Sequence, residues 1–254
     1  MFAEERRQKI LSLLEQKGTV SVNELSKVFA VVPITIRRDL EQLEKEGLLI
    51  RIHGGAILKG EPFIQRPLNT KETINQEVKR RIGERAAQLI NDGETIILDE
   101  GSTCLEVAKA LTRTNKNITV VTNGIKVALE LTPHSNITTI LIGGVCGHQN
   151  YVAYGTQTIE MFSDIRAHKY FMGIDALLAK YGISDADIHQ VELKRVKVAS
   201  SKMVIGVADT SKIGTIAVAH VGSINMLNTL IMESPVPDYF KQYLVEERVS
   251  LLEV

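Results

Sequence analysis

The strongest constraint on the fold is a series of six short, apolar, β-rich runs: ETIILDE, NITVVTN, NITTILIGG, HKYFMGID, KMVIGVAD and NTLIMES. Helical stretches separate them. Strands that are apolar on both faces and alternate with helices imply a mostly parallel sheet covered on both sides. Such a sheet accepts ligands in the crevice outside the carboxyl ends of its strands. The residues at those ends are therefore the first place to look for chemistry.

Asp99-Glu100-Gly101-Ser102-Thr103 follows the first run and opens the helical segment TCLEVAKAL. Loop amides, two hydroxyls and a positive helix end can converge there on an anion. Thr122, Asn123 and Gly124 end the second run, Gly143 and Gly144 the third; Asp175 follows the fourth, and Asp209 to Lys212 the fifth. One Gly-Ser-Thr loop is more often a plain helix start. Five such ends on one sheet edge predict a phosphate cradle at Gly101, Ser102 and Thr103, with Lys212 as counter-charge and Asn123 and Asp175 for sugar hydroxyls.

The first sixty residues read differently. Residues 4–17 place Ile10, Leu11, Leu13 and Leu14 on one helical stripe, and Gly18 ends it. Ser21-Val-Asn-Glu24 has capping-box spacing and starts a short helix with Leu25, Val28 and Phe29 as its apolar face. Pro33 suits the first position of a third helix, whose stripe is Ile36, Leu40 and Leu43 up to Gly47. At 100° per residue, that stripe turns Thr35, Arg38 and Gln42 outward, with Arg37 on the flank. Leu48–Ile52 and Ala56–Leu58 then flank His53-Gly54-Gly55, a hairpin whose glycines allow positive φ. Three short helices and a hairpin make a winged helix-turn-helix, which sets its third helix into a major groove.

An Arg-Arg pair alone is usually a solvated helix face. Charge adds little: residues 1–60 hold ten Lys/Arg against eight Asp/Glu, a net of +2, and the whole chain has zero formal net charge. The order of elements decides for DNA. Its length of 254 residues suits two domains. The division expected is 1–58 for the winged helix-turn-helix, 59–73 for a linker with Gly60, Pro62 and Pro67, and 74–254 for the α/β domain. MFAEERRQKI has no signal-peptide core and no run of 18 apolar residues occurs, so a cytoplasmic protein is expected. Two cysteines and six scattered histidines offer no metal-ligand spacing, and neither metal nor cofactor is expected.

The stretch T-I-R-R-D-L…G-L-L…R…H-G-G-A, within residues 6–56, closely resembles the N-terminal domain of DeoR-family bacterial transcription regulators. Val32 stands where such proteins usually carry a capping Ser or Thr. D-E-G-S-T at 99–103, T-N at 122–123, G-G at 143–144, E-L-K-R at 192–195 and A-D-T-S-K at 208–212 resemble the family's effector domain. That domain has a fold similar to ribose-phosphate isomerases and CoA transferases. The resemblance implies a repressor of a sugar operon that binds double-stranded operator DNA. It implies control by a phosphorylated sugar. One recognition helix contacts too few base pairs and palindromic half-sites require two-fold symmetry, so a homodimer or larger homo-oligomer is expected. By this reading the DNA-contacting residues are Thr35, Arg37, Arg38, Gln42, Arg51, His53 and Gly54. The effector site takes Asp99, Gly101, Ser102, Thr103, Thr122, Asn123, Gly143, Gly144, Asp175, Glu192, Lys194 and Lys212.

Two rivals come from other classes. A sugar-phosphate isomerase-like enzyme fused to a DNA-binding domain would use Asp175, Glu192 and Lys212 as acid, base and clamp, but the isomerases' K-G-x-G-G loop is missing from the sequence. A redox sensor would use Cys104, at a helix start that can lower a thiol's pKa. The plainer reading makes Cys104 a small buried residue.

Overall fold

The computed structural model describes residues 2–17, 19–52, 54–58, 66–147 and 149–254. The chain begins with α1 (Ala3–Lys17), β1 (Thr19–Ser21), α2 (Val22–Phe29) and α3 (Pro33–Lys45), followed by β2 (Leu49–Ile52) and β3 (Gly55–Leu58). Ser21 caps α2 by accepting from the Glu24 amide at 3.1 Å. Pro33 opens α3 without a side-chain cap at Val32. Ile10, Leu14, Leu25, Ile36, Leu40 and Leu43 share one core. Val28, expected on the apolar face of α2, is 57% exposed; Val22, one turn and a half earlier, is buried in its place.

The wing pairs β2 with β3, and β3 also pairs with β1, a strand too short to show any period in the sequence. Gly54 has φ +84°, as a tight turn requires. Gly55 lies inside β3 instead, and its role is close approach: a Cβ there would meet the Val20 carbonyl oxygen at 2.1 Å. The expected helix stop at Gly18 and the wing residue His53 lie outside the described residues.

The residues from 66 onward begin with α4 (Leu68–Thr73) and α5 (Gln76–Gln88). Residues 68–73 were expected to be patternless linker; they form a helical turn because Leu68 is buried and its amide donates to the Gln149 carbonyl at 3.1 Å. Six residues with one apolar anchor leave no readable period. After these come β4 (Thr95–Leu98), α6 (Ser102–Thr112), β5 (Ile118–Thr122), α7 (Ile125–Leu131) and β6 (Ile137–Leu141). A hairpin, β7 (Val145–Gly147) and β8 (Val152–Tyr154), precedes α8 (Thr156–Ser163) and β9 (Ala167–Gly173). Then come β10 (Ala176–Leu178), β11 (Gly182–Asp185), α9 (Ile188–Ala199), β12 (Ser201–Val207), β13 (Ala219–Gly222), β14 (Thr229–Met232), α10 (Asp238–Glu246) and β15 (Ser250–Glu253).

Seven strands form one parallel sheet in the order β15-β14-β12-β9-β4-β5-β6. All six expected runs are in it, and β15 is added at one edge. Its two faces carry separate cores, one around Tyr170, Phe162 and Phe240, the other around Phe171, Ile97's neighbours Ile96 and Leu98, and Leu111. On the second face Gly83 lets α5 lie against α6, since a Cβ would come 2.6 Å from the Glu106 backbone. A small antiparallel sheet, β10-β11-β13, stands beyond the carboxyl end of β9. Among the described residues no helix is long and apolar enough to cross a membrane.

Candidate functional site

The α3 face is set from its inward side. Asp39 is 5% exposed and Arg6 of α1 7%, and they meet in a two-pronged pair at 2.5 and 3.1 Å. A buried pair with this geometry fixes the rotation of α3, because breaking it would strand a charge in the core. Arg37 and Arg38 are then exposed, with no partner among the described residues, and Thr35 is half-buried. Gln42 is exposed but donates along the helix to Glu46 at 2.7 Å, and Arg51 of β2 leans on Glu44, its amide donating at 3.0 Å. Gly54 is exposed at the wing tip. Asp39 was missed in the sequence, although it lies three residues after Ile36 on the apolar stripe.

A cavity of about 390 Å³ opens at the carboxyl edge of the parallel sheet. Gly101, with φ +109°, starts α6, and no side chain caps that helix. Gly101, Ser102 and Thr103 line the cavity, as do Asp175, Lys194 and Lys212. Around them the wall is completed by groups that the sequence did not reveal: Arg66, Lys71, Asn75, Lys79, Asp185, Asp187 and Gln190.

The rest of the expected effector set is elsewhere. Asp99 is fully buried under the wall, paired with Lys197 at 2.5 Å and Lys194 at 3.1 Å, and it accepts from the Gly173 amide at 3.2 Å. Asn123, expected to read sugar hydroxyls, is also fully buried: it accepts from Lys197 at 2.8 Å and donates to the Ala153 carbonyl at 2.8 Å. Thr122 accepts from the Gly124 amide at 3.0 Å. Asp99 and Asn123 knit β4, β5, β8 and α9 together beneath the cavity, and the buried Lys197, invisible in the helical run VELKRVKVA, is their common partner. Gly143 and Gly144 pack on α8: Thr158 donates to the Gly143 carbonyl at 2.7 Å, and a Cβ on Gly144 would meet that hydroxyl at 2.2 Å. Glu192 is exposed on α9 and is not on the cavity wall.

Burial and charge tune the wall. Lys79 is 4% exposed; its ammonium donates to the Lys71 carbonyl at 2.6 Å and the Ile74 carbonyl at 2.7 Å, and burial pulls its amine down to about 8. Asp175 is desolvated, yet Lys71, at 2.9 Å, and Lys194 hold it below the usual carboxylate range. Glu100 is pushed up to about 8 by burial and then by the charge of Asp99. Lys194 bridges Asp99 and Asp185 and donates to the Gly173 carbonyl; those carboxylates outweigh its desolvation and keep it charged. Cys104 is fully buried, and burial followed by the nearby Asp99 raises its thiol well above the ordinary range, the reverse of the activation a redox sensor needs.

A helix-turn-helix with a wing, joined in one chain to a domain with a charged ligand cavity, defines a ligand-sensing DNA-binding regulator. The comparisons with known proteins agree. Residues 6–61 match the DeoR-like helix-turn-helix domain and residues 74–234 the DeoR C terminal sensor domain. The chain belongs to the DeoR family of transcriptional regulators. It is 33% identical to the HTH-type transcriptional regulator GolR of Listeria innocua, over 93% of this chain and 92% of that protein. It is also 33% identical to the glycerol-3-phosphate regulon repressor of Escherichia coli (strain K12), over 97% of each. Among solved structures, ribose 5-phosphate isomerase A of Neisseria gonorrhoeae overlays 56% of each chain at 19% identity with a TM-score of 0.42.

Proposed function

We propose that this chain is a repressor of a carbohydrate operon, that a phosphorylated sugar or polyol controls its grip on operator DNA, and that it acts as a homodimer or larger homo-oligomer. The observation that carries the reading is the uncapped start of α6 facing a cavity that also holds Lys79 and Lys212. Amides and dipole at a helix start favour an anion, and two lysines add charge at the same place. The family, and a relative named for glycerol 3-phosphate, support it. Arg37 and Arg38 would meet the major groove, with Thr35, Gln42, Arg51 and Gly54 beside them; palindromic half-sites require a second copy.

Catalysis is disfavoured by the geometry. Glu192 is not on the cavity wall and Asp175 is held by Lys71, so the acid, base and clamp of an isomerase-like reaction do not assemble. The α4 helix is the element on which the ligand works, because its Lys71 and the carbonyls held by Lys79 border the cavity.

The test is thermal denaturation with a panel of sugar and polyol phosphates, followed by operator binding with each hit. A true effector at a hundred times its Kd stabilises the folded state by about 2.7 kcal/mol. Ser102→Ala with Thr103→Ala abolishes that response and leaves operator binding intact. If every phosphorylated compound leaves both stability and operator affinity unchanged, the reading is wrong.

A further inference from the structure

Gln190 is an anomaly among the buried polar groups around the cavity. It sits in the first turn of α9, where its amide donates to the Asp187 carbonyl at 3.0 Å, and its side chain is 3% exposed. Among the described residues neither the nitrogen nor the oxygen of its carboxamide has a hydrogen-bond partner, and the residue lies on the cavity wall. A buried primary amide has several hydrogen bonds to satisfy, and leaving all of them unmade is costly.

Its neighbours show why the partner is not in the fold. Lys194 is taken by Asp99, Asp185 and the Gly173 carbonyl. The Asp187 carboxylate accepts from the His189 amide at 3.0 Å, and Asp185 accepts from the Asp187 amide at 2.8 Å. Lys194, Asp185 and Asp187 are thus all engaged with other groups. The carboxamide is left buried and without a partner among the described residues at the cavity wall.

We infer that Gln190 reads the hydroxyl pattern of the effector, at a position separate from the anion-binding start of α6. This rests on the proposed function, and it narrows the ligand. A carboxamide presents a donor and an acceptor side by side. A phosphate or carboxylate offers acceptors alone and would leave the carboxamide oxygen facing its lone pairs. Neighbouring hydroxyls each donate and accept, and they match both halves. The ligand is therefore a phosphorylated compound with at least two adjacent free hydroxyls, a polyol or sugar monophosphate, in preference to phosphate alone or a simple alkyl phosphate.

The experiment uses the full chain and two variants, Gln190→Leu and the near-isosteric Gln190→Glu. Probes are inorganic phosphate, propyl phosphate, a set of three- to six-carbon sugar and polyol monophosphates, and the same polyols without phosphate. Gln190→Leu is expected to bind inorganic phosphate within about twofold of the parent, while both variants weaken the preferred sugar or polyol phosphate by roughly 10- to 100-fold, the loss of one or two buried hydrogen bonds. Without ligand, Gln190→Leu melts at or above the parent temperature, since it removes an unpaired buried amide. A structural role predicts the opposite: a lower melting temperature, with phosphate and sugar phosphate weakened together. That outcome, or unchanged affinity for hydroxylated ligands, overturns the assignment. If unphosphorylated polyols bind in a Gln190-dependent way and no phosphate binds, the anion reading fails while Gln190 stands. If no hydroxylated compound stabilises the parent, both fall.

Discussion

Lys79 offers a sharp test of the cavity's electrostatics. Its ammonium is buried against two carbonyls, with Asp209 and Glu106 favouring its charge, Lys212 and Lys71 opposing it, and burial dominating, so its amine titrates near 8 instead of 10.5. Below pH 8 the lysine is charged in both folded and unfolded chains, and the folded state bears the desolvation cost. Between pH 8 and 10.5 the unfolded chain keeps a proton that the folded chain has released, so the folded state gains stability as pH rises. At 1.36 kcal/mol per pKa unit the gain totals about 3 kcal/mol. Lys79→Met keeps the aliphatic volume and cannot titrate. Near pH 7 the variant stays within about 2 kcal/mol of the parent, because losing the donor to two carbonyls is offset by removing a buried charge. From pH 7.5 to 10.5 the parent should then gain on the variant by about 3 kcal/mol, roughly 6 to 12 °C in melting temperature for a domain of this size. Denaturation of both proteins at pH 7.5, 9 and 10.5 measures it. Parallel pH profiles would refute the burial of a charged Lys79. A phosphate bound beside the amine favours its charged form, so inorganic phosphate should weaken by about tenfold per pH unit above 8 in the parent and not in the variant.

Three further outcomes follow from the geometry. Arg38→Ala should cost about 1 to 3 kcal/mol of specific operator binding with no change in melting temperature, read by titration of operator DNA at fixed salt. Asp39→Ala strands Arg6 in the core and should destabilise the helix-turn-helix by about 3 to 5 kcal/mol, so operator binding is lost through unfolding, which circular dichroism of the variant separates from loss of contact. Glu100, raised to about 8, keeps a proton in the folded state that the unfolded chain has lost, so it withdraws stability as pH rises from about 4.5 to about 8; Glu100→Gln should flatten that slope, and an unchanged slope would exclude the protonated carboxyl.

What the sequence made legible was whatever repeats along one element. The Ile36, Leu40 and Leu43 stripe oriented α3, and six apolar runs became six of the seven parallel strands, because each pattern is local. What it hid was set by tertiary contact. QEVKRRIGER looks like a solvated helix, and only the packing of α5 on α6 buries Lys79 beside Ile82 and Gly83. Lys197 and Gln190 sit in an ordinary amphipathic run, HQVELKRVKV, and their burial depends on strands far away in the chain. Asp99 and Asn123 were at the right strand ends but point into the fold, toward Lys197, and this distinction has no signature in spacing. β10, β11 and β13, each three or four residues long, were too short for an alternation to register.

On the proposed function, the position of α4 gives a ligand in this cavity a route by which to act on DNA. A ligand shifts an equilibrium only through contacts that differ between states. Here the segment that follows the wing in the chain, Arg66 to Asn75, is itself cavity wall. Lys71 ties it to Asp175, Lys79 holds its last carbonyls, and Lys126 grips Asn69 at 2.6 Å and also Glu72. An anion bound at the start of α6, as proposed above, would compete with Asp175 for Lys71 and with the carbonyls for Lys79, and its binding free energy would be drawn partly from the contacts that seat α4. Coupling is reciprocal, and operator DNA that favours one seating of α4 must change the ligand's affinity by the same factor. A shift of 1 to 3 kcal/mol, roughly 5- to 150-fold in operator affinity, is within the range that one or two charge-assisted hydrogen bonds supply.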